Sequence, residues 1–323
     1  MTRQGQTPLL EVKGLKKDFV SKGTNGTKIA HALSGIDFSV YQGETFGLVG
    51  ESGCGKTTVG RVICCLTNPT AGSVQFEGKN LFQMSRTELK TVRKDIQMIF
   101  QDPFASLDPR MTVGQIITEP LIIHKIGDRA SRKREAEKFL ERVGLQPSYY
   151  NRYPHEFSGG QRQRIGIARA LILKPKLVIC DEPVSALDVS VQSQILNLLD
   201  ELQKDMGLTY IFIAHGLNVV KHISDRVGVM YLGRMAEIVD ADHLFLSPAH
   251  PYTQALLSAI PQPDPKNIPQ RIILEGDIPS PINPPPGCYF HTRCRCCKDL
   301  CVREAPQMKQ IGGREVACHY PLI

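Results

Sequence analysis

The segment that decides the fold is TFGLVGESGCGKTT, residues 45–58. Its beginning, TFGLV, predicts a buried strand, and residues 50–57 fit the pattern G-x-x-x-x-G-K-[ST]. Glycines let the backbone curl so that successive N–H groups face one anion, and the helix that follows directs its positive end to the same place. A strand, a glycine loop and a helix in this order predict a binding site for the phosphates of a nucleoside triphosphate.

Two side chains of this phosphate loop have predicted chemical roles. Lys56 reaches the β- and γ-phosphates, and the hydroxyl of Thr57 is a ligand for Mg²⁺. The loop alone therefore predicts a nucleoside triphosphate with Mg²⁺; the family resemblance described below makes ATP the expected nucleotide. The residues that we expect to contact it here are Gly50, Glu51, Ser52, Gly53, Cys54, Gly55, Lys56, Thr57 and Thr58.

Beyond the loop, the chain alternates short apolar runs with longer helical patterns. The runs cover residues 44–50, 176–182 and 209–215, and each ends where polar or glycine residues begin. This order predicts an α/β fold of parallel strands joined by helices, with the chemistry at the carboxyl ends of the strands. The chain has 323 residues, 41% of them hydrophobic, which excludes a fibrous or mostly disordered protein. No internal repeat is visible, so we expect one such domain.

The run at 176–182 supplies the acids that ATP hydrolysis requires. It reads KLVICDE, an apolar strand that ends in two adjacent carboxylates. Neighbouring residues on a strand point to opposite faces, so Asp181 and Glu182 have different predicted roles. We expect Asp181 to hold Mg²⁺, directly or through water, and Glu182 to polarise the attacking water.

Between these two elements lies FSGGQRQR, residues 157–164, which resembles the signature motif of the ATP-binding-cassette (ABC) ATPases. The resemblance implies a P-loop ATPase core with an inserted helical subdomain and an N-terminal antiparallel β subdomain. It also implies a head-to-tail dimer, in which the phosphate loop of one domain and the signature of the other hold each ATP. A serine and two glycines before a helical pattern suit a helix N-terminus that accepts a γ-phosphate. The residues of this signature are Ser158, Gly159, Gly160 and Gln161.

The same resemblance assigns residues on both sides of the signature. It implies that Gln101 contacts Mg²⁺ and the attacking water, and that Phe19 stacks on adenine. The implied Mg²⁺ ligands are then Thr57, Gln101 and Asp181. The loop that signals between the two ATP sites of the dimer corresponds to Ser185, Ala186, Leu187 and Asp188.

A histidine completes the implied catalytic set. His215 ends the strand YIFIA and is similar to the switch histidine that contacts the γ-phosphate, so the expected catalytic residues are Lys56, Glu182 and His215. The family usually has Asp after this histidine, and this chain has Gly216. We expect the additional backbone freedom of glycine to loosen the placement of His215.

Charge and hydropathy restrict the possible partners. The net charge of +7 favours an anionic partner, such as nucleotide, nucleic acid or acidic lipid, without choosing among them. Scattered, solvated lysines would give the same number. No stretch reaches the 18 apolar residues of a membrane helix, and the N-terminus lacks the apolar core of a secretion signal. We therefore expect a cytoplasmic chain that reaches a membrane only through a partner.

Two C-terminal segments indicate which group of ABC ATPases the chain resembles. HPYTQALLSAIP, residues 250–261, and GDIPSPINPPPGCYFHTRC, residues 276–294, resemble the ATPases of the dipeptide and oligopeptide importers, a group that includes nickel and glutathione importers. The resemblance implies a second, homologous ATPase subunit in a heterodimer, two membrane permease subunits and an external substrate-binding protein. It places the chain at the cytoplasmic face of the cell membrane. Peptides are the expected substrates, with nickel or glutathione as alternatives.

A non-transport ABC ATPase, acting on ribosomes or nucleic acid, is the alternative of a different class. Ribosome-acting members typically carry two cassettes, and DNA-repair members have long insertions within the cassette. This chain has one cassette and no room for such an insertion, so we expect no nucleic-acid partner. The segment at 102–154 is instead expected to contact the membrane subunits.

Proline and cysteine locate a boundary near residue 260. Eleven of the 22 prolines lie between 248 and 286, and six of the ten cysteines lie after 287. We therefore predict an ATP-binding domain at 7–260, with its helical subdomain at about 102–165, and a proline-rich connector with a cysteine-rich extension at 261–323. Cytosolic thiols stay reduced, so these cysteines indicate metal binding more than disulfides.

The cysteine extension has three open interpretations. Its pattern matches four cysteines that hold a [4Fe–4S] cluster in some members of the importer group, and thiolates are the ligands that such a cluster requires. The spacing of Cys294 and Cys297 also suits zinc, with the remaining ligands drawn from the nearby Cys301, Cys318, His291 or His319. Alternatively, the thiols are free. The expected cluster ligands are Cys288, Cys294, Cys301 and Cys318.

Overall fold

A computed structural model describes residues 6–23, 26–260 and 271–323 of the chain. These residues form two compact units. The first unit comprises Met1–Gln83 and Ala214–Ile323, and the second comprises Met84–Ile213. The part of the predicted connector at 261–270 lies outside the described residues.

Strands and helices alternate in part of the chain, whereas three strands at its start and three α-helices in its middle follow one another. The opening segment of the first unit contains β1 (Leu10–Gly23), β2 (Gly26–Val40), β3 (Thr45–Val49), α1 (Lys56–Ile63), β4 (Ala71–Phe76) and β5 (Lys79–Asn80). The second unit contains α2 (Arg86–Asp95), β6 (Ile96–Ile99), α3 (Val113–Ile123), α4 (Arg129–Arg142), α5 (Gly159–Leu171), β7 (Leu177–Asp181), α6 (Val189–Met206) and β8 (Thr209–Ala214) up to Ile213, since the last residue of β8 is counted in the first unit. The closing segment of the first unit contains α7 (Leu217–Ile223), β9 (Arg226–Tyr231), β10 (Arg234–Asp240), α8 (Ala241–Leu246), α9 (Pro251–Ser258), α10 (Asp299–Arg303), β11 (Lys309–Ile311) and β12 (Arg314–Val316).

The first unit contains an antiparallel sheet in the order β2-β1-β4-β5. Its strands bury one set of apolar side chains, including Val12, Leu33, Phe38 and Val74. Apolar residues recur every second position in such strands because successive side chains point to opposite faces. This sheet is the antiparallel β part that the family resemblance implied.

The other strands of the first unit surround β3, which leads into the phosphate loop. β3 pairs with β9 in parallel, and β9, β10, β12 and β11 follow as antiparallel neighbours. All five residues of β3 are buried. The C-terminal extension thus contributes two strands to the structure that carries the loop.

The second unit joins parallel strands with helices. β7 pairs in parallel with both β6 and β8, and every residue of β7 and β8 is buried. The apolar runs at 176–182 and 209–215 are therefore strands, as the sequence predicted. On α6, Ile195, Leu198, Leu199 and Leu202 are buried at helical spacing, so one face of this helix is apolar.

None of the helices in the described part combines the length and the apolar character that crossing a membrane requires.

Candidate functional site

The phosphate loop leaves β3 through a position that only glycine can occupy. Gly50 has φ +152°, and a Cβ there would lie 2.1 Å from the carbonyl oxygen of Met230. At the other end, Gly55 has φ +105° and precedes the first residue of α1. The curl therefore depends on glycine at both ends, as the sequence predicted.

Lys56 lies inside this curl. Its side chain is buried, and its Nζ donates hydrogen bonds to the carbonyl oxygens of Gly50 at 2.7 Å and Glu51 at 3.1 Å. Burial raises the pKa of the neighbouring Cys54 thiol, and the positive charge of Lys56 partly opposes that shift. Cys54 is thus a neutral thiol at neutral pH, and Lys56 supplies the positive charge in this part of the loop.

The outer side of the loop is held by residues that the sequence analysis did not identify. The guanidinium of Arg293 forms two hydrogen bonds to the carboxylate of Glu51, at 2.7 and 3.1 Å. The backbone N–H of Glu51 donates to the hydroxyl of Tyr252 at 2.9 Å. Arg293 and Tyr252 lie in the two C-terminal segments that carry the importer resemblance, and this was the only sequence signal for them.

The two predicted acids occupy distinct backbone positions in the second unit. Asp181 is the last residue of β7, and Glu182 follows it with φ +48°, a left-handed conformation that is uncommon for residues with a Cβ. Both carboxylates are buried. The Nε2 of Gln101 donates a hydrogen bond to Oε2 of Glu182 at 2.7 Å. The structure therefore brings together the two residues expected to act on the attacking water.

The signature segment forms the N-terminus of α5, as predicted. Ser158 caps the helix: its Oγ accepts a hydrogen bond from the N–H of Gln161, whose Oε1 accepts one from the N–H of Ser158. Ser158 is exposed. A Cβ on Gly160 would lie 2.6 Å from the side chain of Val191, so glycine permits the close approach of α5 to α6. The helix start thus presents backbone N–H groups at the surface.

The predicted signalling loop at 185–188 links Glu182, the predicted catalytic residue, to α6. The Oγ of Ser185 donates to the carbonyl oxygen of Glu182 at 3.1 Å, and Asp188 immediately precedes the helix. Ser185, Ala186 and Asp188 are exposed, and Leu187 is half-buried. A movement of this exposed loop would therefore be transmitted to Glu182 through the chain and through this hydrogen bond.

The other two predicted ATP contacts are exposed residues of the first unit. The ring of Phe19 is 48% exposed, with Nζ of Lys17 lying 5.0 Å from its centroid, so Phe19 is a surface aromatic and not a core residue. His215 is also exposed, directly after β8. The neighbouring Gly216 has φ −88° and ψ 121°, which any residue adopts, and a Cβ there would meet only Val219 at 4.0 Å. The backbone at this position does not depend on glycine.

The C-terminal cysteines surround one small cavity in the first unit. The four predicted cluster ligands, together with Cys296, line it, whereas Cys297 is exposed. Burial raises the pKa of the Cys294 thiol to about 12 and that of Cys318 to about 11, so both are protonated at neutral pH. All the cysteines in the described ranges are free thiols. Across those same ranges, no group of three His, Cys, Asp or Glu residues is placed to hold a single metal ion.

Comparisons with known proteins agree with this geometry. The family ABC transporter matches residues 33–185, and the family Oligopeptide/dipeptide transporter, C-terminal region, matches residues 236–301. The oligopeptide transport ATP-binding protein AppF of Bacillus subtilis (strain 168) is 52% identical over 99% of both chains. The oligopeptide transport ATP-binding protein OppF of Escherichia coli (strain K12) is 52% identical over 98% of this chain and 97% of its own.

The fold also matches solved structures. The dimeric, post-hydrolysis structure of the ATP-binding cassette MJ0796, bound to ADP and Pi, superimposes with a TM-score of 0.64 at 29% identity, and covers 72% of this chain and 98% of the cassette. The described fold, the phosphate loop and the signature helix are therefore those of an ATP-binding cassette, and the similarity to AppF and OppF includes the C-terminal extension. The chain belongs to the ATP-binding-cassette ATPases of the oligopeptide and dipeptide transporter family.

Proposed function

We propose that this chain is the ATP-hydrolysing subunit of an importer for dipeptides or oligopeptides. The observation that carries the proposal is the similarity over nearly the whole chain to proteins named oligopeptide transport ATP-binding proteins, including the C-terminal region that lies outside the nucleotide motifs. The geometry supports the ATPase part: Lys56 is buried within a glycine-closed loop, and Glu182 is buried against Gln101. Nickel or glutathione is the alternative substrate for an importer of the same kind.

In the proposed cycle, ATP binding closes a dimer and hydrolysis reopens it. The phosphate loop and Lys56 hold the β- and γ-phosphates, while the backbone N–H groups at the start of α5 donate hydrogen bonds to the γ-phosphate bound by the partner ATPase. Glu182, oriented by Gln101, polarises the attacking water, and His215 contacts the γ-phosphate. Thr57, Gln101 and Asp181 would hold Mg²⁺, which would supply positive charge to neutralise the transferred phosphoryl group.

The proposed assembly has a second, different ATPase of the same family and two membrane permeases. The segment at 102–154 is proposed to contact the permeases. In its support, Phe104, Ile122 and Ile123 are each more than half exposed, which is unusual for such side chains in one short region. The chain would then lie at the cytoplasmic face of the membrane, held by these contacts. We retain the proposed domain limits of 7–260 and 261–323.

Uptake in cells tests the substrate. Cells that lack this chain should fail to accumulate a labelled dipeptide, and the wild-type chain should restore that uptake. Labelled nickel and labelled glutathione, measured in the same cells, are the comparison. If the chain restores uptake of nickel or of glutathione but not of the dipeptide, the assigned substrate changes from peptide to that compound. If no uptake depends on the chain, the transport proposal is wrong.

We further propose that Cys288, Cys294, Cys301 and Cys318 hold a [4Fe–4S] cluster. The support is that these four thiols line one cavity, together with Cys296. Four thiolates are the ligand set of a cluster, and binding would lower the raised pKa values of the Cys288, Cys294 and Cys318 thiols. The cluster would stabilise the extension.

Spectroscopy and metal analysis test this proposal. The chain, purified without oxygen, should contain iron and acid-labile sulfide and should show broad visible absorption. Cys294→Ser should lose the iron and the absorption, because it removes one of the four ligands. Cys297→Ser is the matched control, since Cys297 is exposed and adjacent in sequence to the cavity residues. Stoichiometric zinc without iron, or no metal, would contradict the cluster.

A further inference from the structure

We infer that Arg293 and Tyr252 are positioning residues of the phosphate loop: they fix Glu51 from outside the loop, and in this way the C-terminal segment sets the affinity for ATP. This inference rests on the proposed ATPase function. It adds to that function because neither residue belongs to the phosphate loop, the signature or the acidic strand end.

Three groups converge on Glu51, one on each of its polar parts. Lys56 donates to its carbonyl oxygen at 3.1 Å, and the hydroxyl of Tyr252 accepts from its N–H at 2.9 Å. Arg293 binds its carboxylate through two hydrogen bonds. Glu51 is therefore the point where the phosphate-binding lysine and the C-terminal segment meet.

The contact between Arg293 and Glu51 has the geometry of a strong ion pair. Nη1 of Arg293 lies 2.7 Å from Oε2 of Glu51, and Nη2 lies 3.1 Å from Oε1, so each guanidinium nitrogen serves one carboxylate oxygen. Such paired bonds fix orientation as well as distance. The side chains are 7% and 23% exposed, so water and salt screen this pair less than a surface pair.

The two anchors are themselves held by aromatic packing. The ring of Tyr252 is fully buried and contacts Tyr231 and Phe290, with centroids 4.8 and 5.2 Å apart. The Arg293 guanidinium lies 6.0 Å from the ring centroid of Tyr231. Because these side chains cannot move freely, the loop is ordered before ATP arrives, and binding loses less conformational entropy.

Loss of these contacts should change the affinity for ATP more than the rate of ATP hydrolysis. Loss of Arg293 would free the carboxylate of Glu51, and with it the peptide segment whose carbonyl oxygens orient Lys56. The loop would then have to become ordered on binding ATP, which weakens binding. Glu182 and Gln101 belong to the second unit, whereas both anchors belong to the first, so we expect the hydrolytic step on bound ATP to be unchanged.

The test uses the full-length chain, with ATP binding measured by titration calorimetry and folding measured by thermal melting. Arg293→Gln should weaken ATP binding about tenfold, since it removes a charge-assisted bidentate contact. Glu51→Gln should have a similar effect, and the double variant should be no weaker than either single one, because both changes break the same contact. Arg293→Lys should recover only part of the loss, since lysine cannot form the bidentate pair.

Arg295→Gln is the matched control. Arg295 lies two residues further along the same segment, is exposed, and donates a hydrogen bond from its guanidinium to the half-buried side chain of Gln254. Its replacement should leave ATP affinity unchanged. In the assembled transporter, Arg293→Gln should raise the KM for ATP and leave kcat near the wild-type value, a separation that general destabilisation would not produce.

Two outcomes would overturn the inference alone. One is wild-type ATP affinity in a folded Arg293→Gln chain; the other is additive losses in the double variant. If the wild-type chain itself binds no ATP, the proposed ATPase function is wrong, and so is the inferred role of Arg293 and Tyr252.

Discussion

Glu182→Gln should reduce ATP hydrolysis by a factor of about 10²–10⁴ while ATP binding is retained, because a positioned general base contributes about that much. The amide keeps the size of the side chain and removes the charge that polarises water. Glutamine adopts the left-handed backbone at position 182 with the same difficulty as glutamate, so the fold should be preserved. Dimers of this variant should accumulate in the closed, ATP-bound state.

Phosphate release, ATP retention and dimer size measured on the same preparation provide the check. Glu201→Gln is the matched control, since Glu201 is an exposed glutamate on α6. It should hydrolyse ATP at the wild-type rate. Normal turnover in Glu182→Gln would show that the assignment of Glu182 is wrong.

Lys56→Ala should reduce ATP turnover by about 10²–10³, the range found when one preorganised donor to a developing charge is removed. Two effects add here. The phosphates lose a buried positive charge, and the carbonyl oxygens of Gly50 and Glu51 lose the donor that draws them inward. In contrast to the glutamine variant at 182, this variant should also lose ATP affinity, and uptake that depends on the chain should stop.

Arg61→Ala is the control for this change, because Arg61 is an exposed cation on α1, the helix that begins with Lys56. Binding of ATP by calorimetry and melting of each variant separate loss of the site from loss of the fold. Wild-type affinity in a folded Lys56→Ala chain would contradict the role of the lysine.

Local chemistry made much of the nucleotide site predictable. The phosphate loop follows an apolar strand, and the serine of the signature caps a helix, so each is encoded within fewer than about 15 neighbouring residues. The apolar runs at 176–182 and 209–215 predicted buried strands for the same reason. Such elements depend on backbone geometry that one stretch of sequence determines by itself.

The remaining features depend on residues that are distant in sequence. Nothing near Arg293 indicates that its guanidinium binds Glu51, and nothing near Glu182 indicates its left-handed backbone. The expectation that Gly216 loosens the placement of His215 has no support in the ordinary backbone angles of Gly216. Contacts between side chains that are distant in sequence depend on how the whole fold packs, and the periodicity of the sequence does not predict them.

The division of the first unit into two chain segments has a consequence for biosynthesis. Glu51 and its partner Arg293 are 242 residues apart, with the whole second unit translated between them. At about 5–20 residues per second, a ribosome needs about 12–50 s to cover this distance. During that time the nascent phosphate loop lacks its outer support. A ribosome-bound chain that stops before residue 293 should therefore lack the outer support of its nucleotide site. Such a truncated chain should bind ATP more weakly than the finished polypeptide.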